Sequence, residues 1–155
     1  MPGVCRCLSD GSDHMSKEQR RRIQLAIACE GEQIPRRHFG DCPEFRVFEL
    51  FEDGEYRFIK TQDNTSPEEK RHADPEKLKG VASILPGCEA LVSGLASPNF
   101  VRIRDTKPIQ PVVTEEETVA GTLSALGAVF EELFSLVSAR RQGEHPPVIL
   151  KIGKK

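Results

Sequence analysis

Two side chains with metal-binding and nucleophilic chemistry lie four positions apart in the segment Arg37-His38-Phe39-Gly40-Asp41-Cys42-Pro43. An imidazole and a thiolate can coordinate a soft metal, and they can also act as the base and nucleophile of a thiol hydrolase. The segment separates two short apolar runs, so we expect a loop at the end of a β-sheet. His38 and Cys42 are therefore the first candidates for a functional site.

The first half of the chain is predicted to form three strands that position this loop. Residues 23–28 and 45–51 are apolar runs of strand length, one on each side of it. Asp53-Gly54 is a strong hairpin signal, and it leads into a third strand at Tyr56. The second and third strands should therefore be antiparallel.

The second half alternates helices and strands, which indicates parallel strands joined by crossover helices. A capping box at Thr114 to Glu117 is predicted to begin one long helix with a single core-facing apolar stripe. Residues 148–152 form either a late edge strand or a tail, and we predict five strands in the sheet. The other predicted elements are a helix from Asp74-Pro75 to Leu85, a strand at 90–92, a helix from Ser97-Pro98 to about Arg104, and a strand at 109–113.

Tracing the strand directions brings several reactive residues to one rim of the sheet. Cys29 ends the first strand, His72 lies in the polar loop after the third, and Gly94 follows the fourth. They join His38 and Cys42 at the edge where open α/β sheets tend to bind ligands. Cys88 enters its strand from the opposite end and is predicted to be a buried small hydrophobe.

Each candidate also has a structural explanation that the residues alone leave open. His38 could bond to a backbone carbonyl, His72 could be solvated, and Cys29 and Cys42 could simply pack in the core. No single residue decides the matter, and the hypothesis of a site depends on two His and two Cys meeting at one rim.

Composition excludes several classes of protein. A net charge of −2 argues against binding nucleic acid through the overall electrostatic field, and no apolar run reaches the length of about 18 residues that spans a bilayer. The five Cys are not spaced as a disulfide scaffold, so we expect a cytoplasmic protein. Residues 1–20 are predicted to be a disordered tail with Cys5 and Cys7, residues 21–140 one domain, and residues 141–155 an extension.

Four segments carry a resemblance to a known family. His38-Phe39-Gly40 is the most specific, and it is accompanied by Ala26-Ile27-Ala28, by residues 88–94 and by residues 109–113. Over residues 22–135 the chain resembles the dinitrogenase iron–molybdenum cofactor biosynthesis family, which includes nitrogenase cofactor carrier proteins. The resemblance implies a ribonuclease-H-like, three-layer α/β fold with a mixed five-stranded sheet flanked by helices.

The resemblance also implies a function. The expected function is transient binding of an iron–sulfur or iron–molybdenum type cluster, with cluster donor and acceptor proteins as partners and with no nucleic acid or membrane. His38 is the ligand that the motif implies. We expect the protein to be a monomer or a weak homodimer. The strands offer Glu49 and few other carboxylates for nuclease chemistry, so we predict that the protein is not an enzyme. The alternative is an interaction module in which Phe39 and Gly40 are purely structural.

Overall fold

The computed structural model describes residues 20–36, 42–63, 87–96 and 98–153. These ranges contain a mixed sheet and three helices. The strands are β1 (Arg22–Cys29), β2 (Glu44–Phe51), β3 (Tyr56–Asp63), β4 (Ala90–Ser93), β5 (Gln110–Thr114) and β6 (Leu150–Ile152), and the helices are α1 (Pro98–Thr106), α2 (Val119–Ala128) and α3 (Phe130–Arg141). The predicted helix from Asp74 to Leu85 lies outside the described residues.

The strands are arranged in the order β3-β2-β1-β4-β5-β6. β2 is antiparallel to both β1 and β3, whereas β1, β4, β5 and β6 are mutually parallel. The predicted strand directions and the Asp53-Gly54 hairpin are therefore confirmed. The carboxyl ends of β1, β4, β5 and β6 share one edge of the sheet, which we call the upper rim.

In the part of the chain that the structure describes, the sheet has six strands, and the prediction of five was wrong. The sixth strand, β6, is only three residues long, and it pairs in parallel with β5 from Val112↔Leu150 to Thr114↔Ile152. A run this short after Pro146-Pro147 has little periodicity, so its pairing is decided by the β5 edge beside it rather than by its own sequence.

Two separate apolar cores cover the two faces of the sheet. On one face, side chains such as Leu25, Leu50 and Val112 pack with residues of α2 and α3. On the other face, Phe45 and Val47 belong to a second cluster with Phe100 and Ile103 of α1. The prediction of a mixed sheet flanked by helices is thus confirmed. The assignment to a ribonuclease-H-like fold stays a prediction.

The long C-terminal helix that the apolar stripe predicted is in fact two helices. α2 ends at Ala128 and α3 begins at Phe130, and their axes differ by 83°. Val129 lies between them with φ −118° and ψ 28°, outside helical geometry. The stripe is nevertheless buried as predicted, because both helices pack on the same core. Its members are Val119, Leu123, Leu126, Phe130, Leu133 and Val137.

The predicted capping box was also misplaced by one helical turn. Thr114 ends β5, and its hydroxyl accepts a hydrogen bond from the Glu116 amide. The helix is capped instead by Thr118, whose Oγ1 accepts from the Gly121 amide at 3.0 Å. Both threonines have the residue type of a cap, and the β-ladder that extends to Thr114 decides between them.

No single helix in the described ranges is long and apolar enough to cross a membrane. The bent pair α2 and α3 reaches that length and apolar character only when the two helices are counted together, and only by length and composition.

A buried arginine joins α3 to the end of the sheet opposite the upper rim. Arg140 is 2% exposed, and its Nε donates to Gln110 Oε1 at 2.9 Å. Its other nitrogens donate to the carbonyl oxygens of Arg104, Lys107 and Pro146. All of these acceptors are neutral, so burial lowers the pKa of the guanidinium. One side chain thus connects α3, the end of α1, β5 and the segment that leads into β6.

Replacing Arg140 with Met should lower the free energy of unfolding by about 2–4 kcal/mol, because the buried acceptors lose their donor. Urea denaturation at neutral pH measures this. Arg141→Met is the matched control, since Arg141 is exposed and pairs with Glu89, and its loss should be about 1 kcal/mol or less. Equal losses in the two variants would show that the buried network is not an important source of stability.

Candidate functional site

The segment before the His-Phe-Gly motif is fixed across the upper rim. Residues 30–33 form a tight turn closed by reciprocal backbone bonds between Glu30 and Gln33. The Ile34 amide then donates to the Glu117 carbonyl, and the Val119 amide donates to the Glu32 carbonyl. The chain therefore runs from the end of β1 to the start of α2, and Ile34 is buried in the core beneath it.

Arg36 completes this attachment. Its Nη1 lies 2.7 Å from the carbonyl oxygen of Gly94, just after β4, and 2.7 Å from that of Thr114, the last residue of β5. Charge-assisted hydrogen bonds of this kind are stronger than neutral ones. One guanidinium thus joins the ends of two parallel strands and fixes the residue two positions before His38.

Gly94 lies beneath this segment, and the contact explains its residue type. A Cβ at Gly94 would lie 2.5 Å from the Pro35 carbonyl oxygen and 3.2 Å from the Ile34 side chain. Such a distance is too short for any side chain, so only glycine lets the segment lie directly on the strand end. Gly94 is at the rim as predicted, but the group that approaches it closely is the chain itself.

The two rim cysteines point into different cores. Cys29 ends β1 and belongs to the cluster on the α2 and α3 face, whereas Cys42 belongs to the cluster on the α1 face. They are 0% and 2% exposed. The structure therefore places both thiols near the upper rim without bringing them together in one site.

Burial also affects the chemistry of Cys29. Desolvation, followed by the nearby carboxylate of Glu44, raises the pKa of this thiol to about 11. A thiol that remains protonated at neutral pH is a poor metal ligand and a poor nucleophile. Cys88 is buried at the opposite end of the sheet, as predicted, and burial raises its pKa as well.

The remaining predicted site residues, His38, Phe39, Gly40 and His72, lie outside the described residues. Within the part of the chain that the structure describes, no three His, Cys, Asp or Glu side chains are grouped so that they could hold a metal ion.

The upper rim carries an open depression that the sequence did not reveal. It has a volume of about 530 Å³ and lies where β4, β5 and β6 end, with Arg36 and Lys151 among its charged residues. The sequence reasoning missed both cations. The partners of Arg36 are backbone carbonyls, which no sequence motif encodes. Lys151 lies on β6, which the prediction of five strands left out. The full lining is Arg36, Gly94, Leu95, Ala96, Val113, Glu115 and Lys151.

Gly94→Ala should lower the free energy of unfolding by about 2–3 kcal/mol, because the added methyl meets the Pro35 backbone. Thermal or urea unfolding measures it. Gly143→Ala is the control: its φ is +93°, but no atom lies within 4 Å of the new Cβ, so it should lose only about 1 kcal/mol. If Gly94→Ala loses no more than this control, the segment does not rest on Gly94 in solution.

Cys29 should react with iodoacetamide about 100-fold more slowly at pH 8 in the folded chain than in urea, since a pKa near 11 leaves little thiolate. Peptide mapping by mass spectrometry measures the rate. Because folding raises this pKa from 9.0, burial of the neutral thiol favours the folded state below pH 9, and the contribution is lost as the pH rises towards 11. Equal rates in the two states would contradict the buried placement.

Comparison with known proteins identifies the family. The family model described as dinitrogenase iron-molybdenum cofactor matches residues 21–129, which include β1 to β5, the upper-rim segment and α2. No match was found among curated proteins. The matched range is well over half of the chain, and α3 and β6 lie beyond it. The chain therefore belongs to the dinitrogenase iron-molybdenum cofactor family.

Proposed function

We propose that this protein binds an iron–sulfur or iron–molybdenum type cluster as transient cargo and passes it from a donor protein to an acceptor protein in the cytoplasm. Membership of the family supports a role connected with the iron–molybdenum cofactor. The protein would act by binding and release, without catalysing a reaction. The cluster is therefore the cargo of this chain rather than its resident cofactor.

The observation that carries the proposal is the attachment of Arg36 to the strand ends. His38 follows Arg36 by two residues, and two residues of chain span at most about 7 Å. Since the guanidinium of Arg36 is held by the carbonyls of Gly94 and Thr114, the described chain reaches the upper rim just before the motif begins. This is the edge at which open α/β sheets bind ligands.

His38 is the proposed ligand, and the thiols are at most secondary. Imidazole coordinates iron well, and the His-Phe-Gly motif is the most specific point of likeness to the family. Cys29 would have to leave the core and lose a proton before it could coordinate. Cys42 is nearer in sequence to His38, but its 2% exposure makes it the weaker candidate. A small ligand set suits a carrier, because the cluster must leave again.

The alternative is an interaction module in which the His-Phe-Gly motif is structural. One observation favours it: both flanks of the motif are fixed by packing, through Ile34 on one side and Cys42 on the other. Such a module would bind partner proteins but no cluster. Direct measurement of cluster binding separates the two proposals.

His38→Ala should reduce cluster binding at least about tenfold, because it removes the main protein ligand. Anaerobic protein is incubated with an iron–sulfur–molybdenum cluster and desalted, and charge-transfer absorption and metal content are measured. His145→Ala is the matched control, since this imidazole is exposed in the described part of the chain, and it should bind like the unmodified protein. Cys42→Ala should also retain most of the binding.

Two results would contradict the proposal in different ways. If His38→Ala binds as well as His145→Ala, the ligand assignment is wrong. If the unmodified protein retains no cluster, the carrier function fails and the interaction module is favoured.

A further inference from the structure

β3 forms one edge of the sheet and is exposed along almost its whole length. Within the described residues it pairs only with β2. Its three large apolar side chains lie in solvent, since Tyr56 is 48% exposed, Phe58 54% and Ile59 39%. Strands usually bury one of their faces, and an exposed apolar edge strand is a ready template for pairing with another chain.

The backbone of β3 presents its hydrogen-bonding groups to the two sides in alternation. The Phe51 amide of β2 donates to the Glu55 carbonyl at 2.8 Å, so Glu55 and, two positions further on, Arg57 face β2. The amide and carbonyl groups of Tyr56 and Phe58 therefore point away from β2. In the part of the chain that the structure describes, no other strand lies beside them.

An apolar groove of about 300 Å³ lies beside this edge, on the face of the sheet that α2 covers. The Phe48 ring of β2 contacts the rings of Tyr56 and Phe58 edge-on, with centroids 5.7 and 5.6 Å apart. Val119 and Leu123 of α2 add to the apolar lining. Alternate side chains of a strand added to β3 would lie on this face, where burial in the groove favours apolar residues.

The other face of β3 is basic. Lys60 lies opposite Val47, whose side chain belongs to the core on the α1 face. Arg57 and Arg22 share the carboxylate of Glu49. Lys60 and the two arginines therefore leave an excess of positive charge beside the middle of β3. Acidic side chains at alternate positions of an added strand would meet these cations across the ladder.

From this arrangement we infer that β3 is a docking edge for an extended segment of a partner protein in which apolar and acidic residues alternate. The segment adds a strand beside Tyr56 and Phe58. Its apolar side chains lie at the groove, and its carboxylates lie near Arg57 and Lys60. The inference goes beyond the proposed function, because strand addition at this edge needs neither a cluster nor the upper rim.

The charges favour such a partner over a second copy of this chain. Antiparallel pairing of two β3 strands would bring Arg57 and Lys60 of both copies to the same face, and like charges on neighbouring strands repel. The β2–β3 ladder also has a register shift between Val47 and Phe48. A lysine and an irregular ladder are features by which edge strands avoid self-association. An acidic segment instead neutralises the charge that opposes pairing.

The probe is a synthetic peptide of about eight residues, the length of β3, in which valine and glutamate alternate. Amide chemical shifts and hydrogen exchange in the full-length protein are the readouts. In the free protein, the amides of Tyr56 and Phe58 should exchange faster than that of Arg57. The peptide should shift and protect the Tyr56 and Phe58 amides. A peptide with methylated central amides should bind at least about tenfold more weakly, because it cannot donate to the edge.

Two variants separate the charge from the apolar contact. Lys60→Glu should weaken binding of the glutamate peptide about fivefold and strengthen binding of a valine–lysine peptide. Phe58→Ser should weaken binding of both peptides about tenfold. Lys107→Glu and Val101→Ser are the matched controls, since these residues lie on or just after α1, away from β3, and both should leave the affinities unchanged.

Several results would overturn the inference. No binding of the glutamate peptide, shifts away from β3, or equal affinity for the glutamate and lysine peptides would each do so. Protection of the Tyr56 and Phe58 amides in the free protein would show that another segment of this chain covers the edge, or a second copy if the protection increases with protein concentration. None of these measurements uses a cluster, so failure of the proposed function is detected separately.

Discussion

The contact of Arg36 with the ends of β4 and β5 is the constraint on which the upper rim depends. Both carbonyls that it binds lie where the parallel ladder stops, and a carbonyl left without a donor at such a point is costly if water cannot reach it. The guanidinium of Arg36 supplies the donor for both carbonyls. The absence of a side chain at Gly94 lets the Pro35 backbone lie close enough to the strand end for these bonds to form. The chain that leads to His38 is thereby tied to the sheet rather than left as an open loop.

The topology explains why the reactive residues separate. The alternation of strand side chains sends Cys29 to one face of the sheet, and Cys42, before β2, packs on the other. Two thiols close in the fold are thus buried in different cores. The rim that remains between them offers cations and backbone, which suits cargo that brings its own sulfur ligands. This division between buried thiols and an exposed charged surface supports a carrier that holds its cluster loosely.

Sequence periodicity predicted much of the fold, and local competition explains what it missed. The strand directions, the Asp53-Gly54 hairpin and the buried stripe from Val119 to Val137 were predicted correctly, because each depends on a regular apolar pattern. The pattern could not show the break at Val129, since a bent helix pair on one core buries the same positions. The edge of β5 decides two other features that the pattern missed. Its pairing with β6 extends to Thr114, which leaves Thr118 as the helix cap, and it also gives the short strand β6 its partner. For the candidate site, the predicted strand directions correctly placed Cys29, Cys42 and Gly94 near the upper rim. They did not reveal the carbonyl partners of Arg36.

The central claim is that the cluster is held at the upper rim through the His38 imidazole, and pulsed electron paramagnetic resonance tests it most directly. Protein with ¹⁵N-labelled histidine is loaded anaerobically and brought to a paramagnetic state of the cluster. We predict a ¹⁵N hyperfine coupling that is present in the His72→Ala and His145→Ala variants and absent in His38→Ala. A bound cluster with no histidine nitrogen coupling, or with a coupling that persists in His38→Ala, would contradict the account.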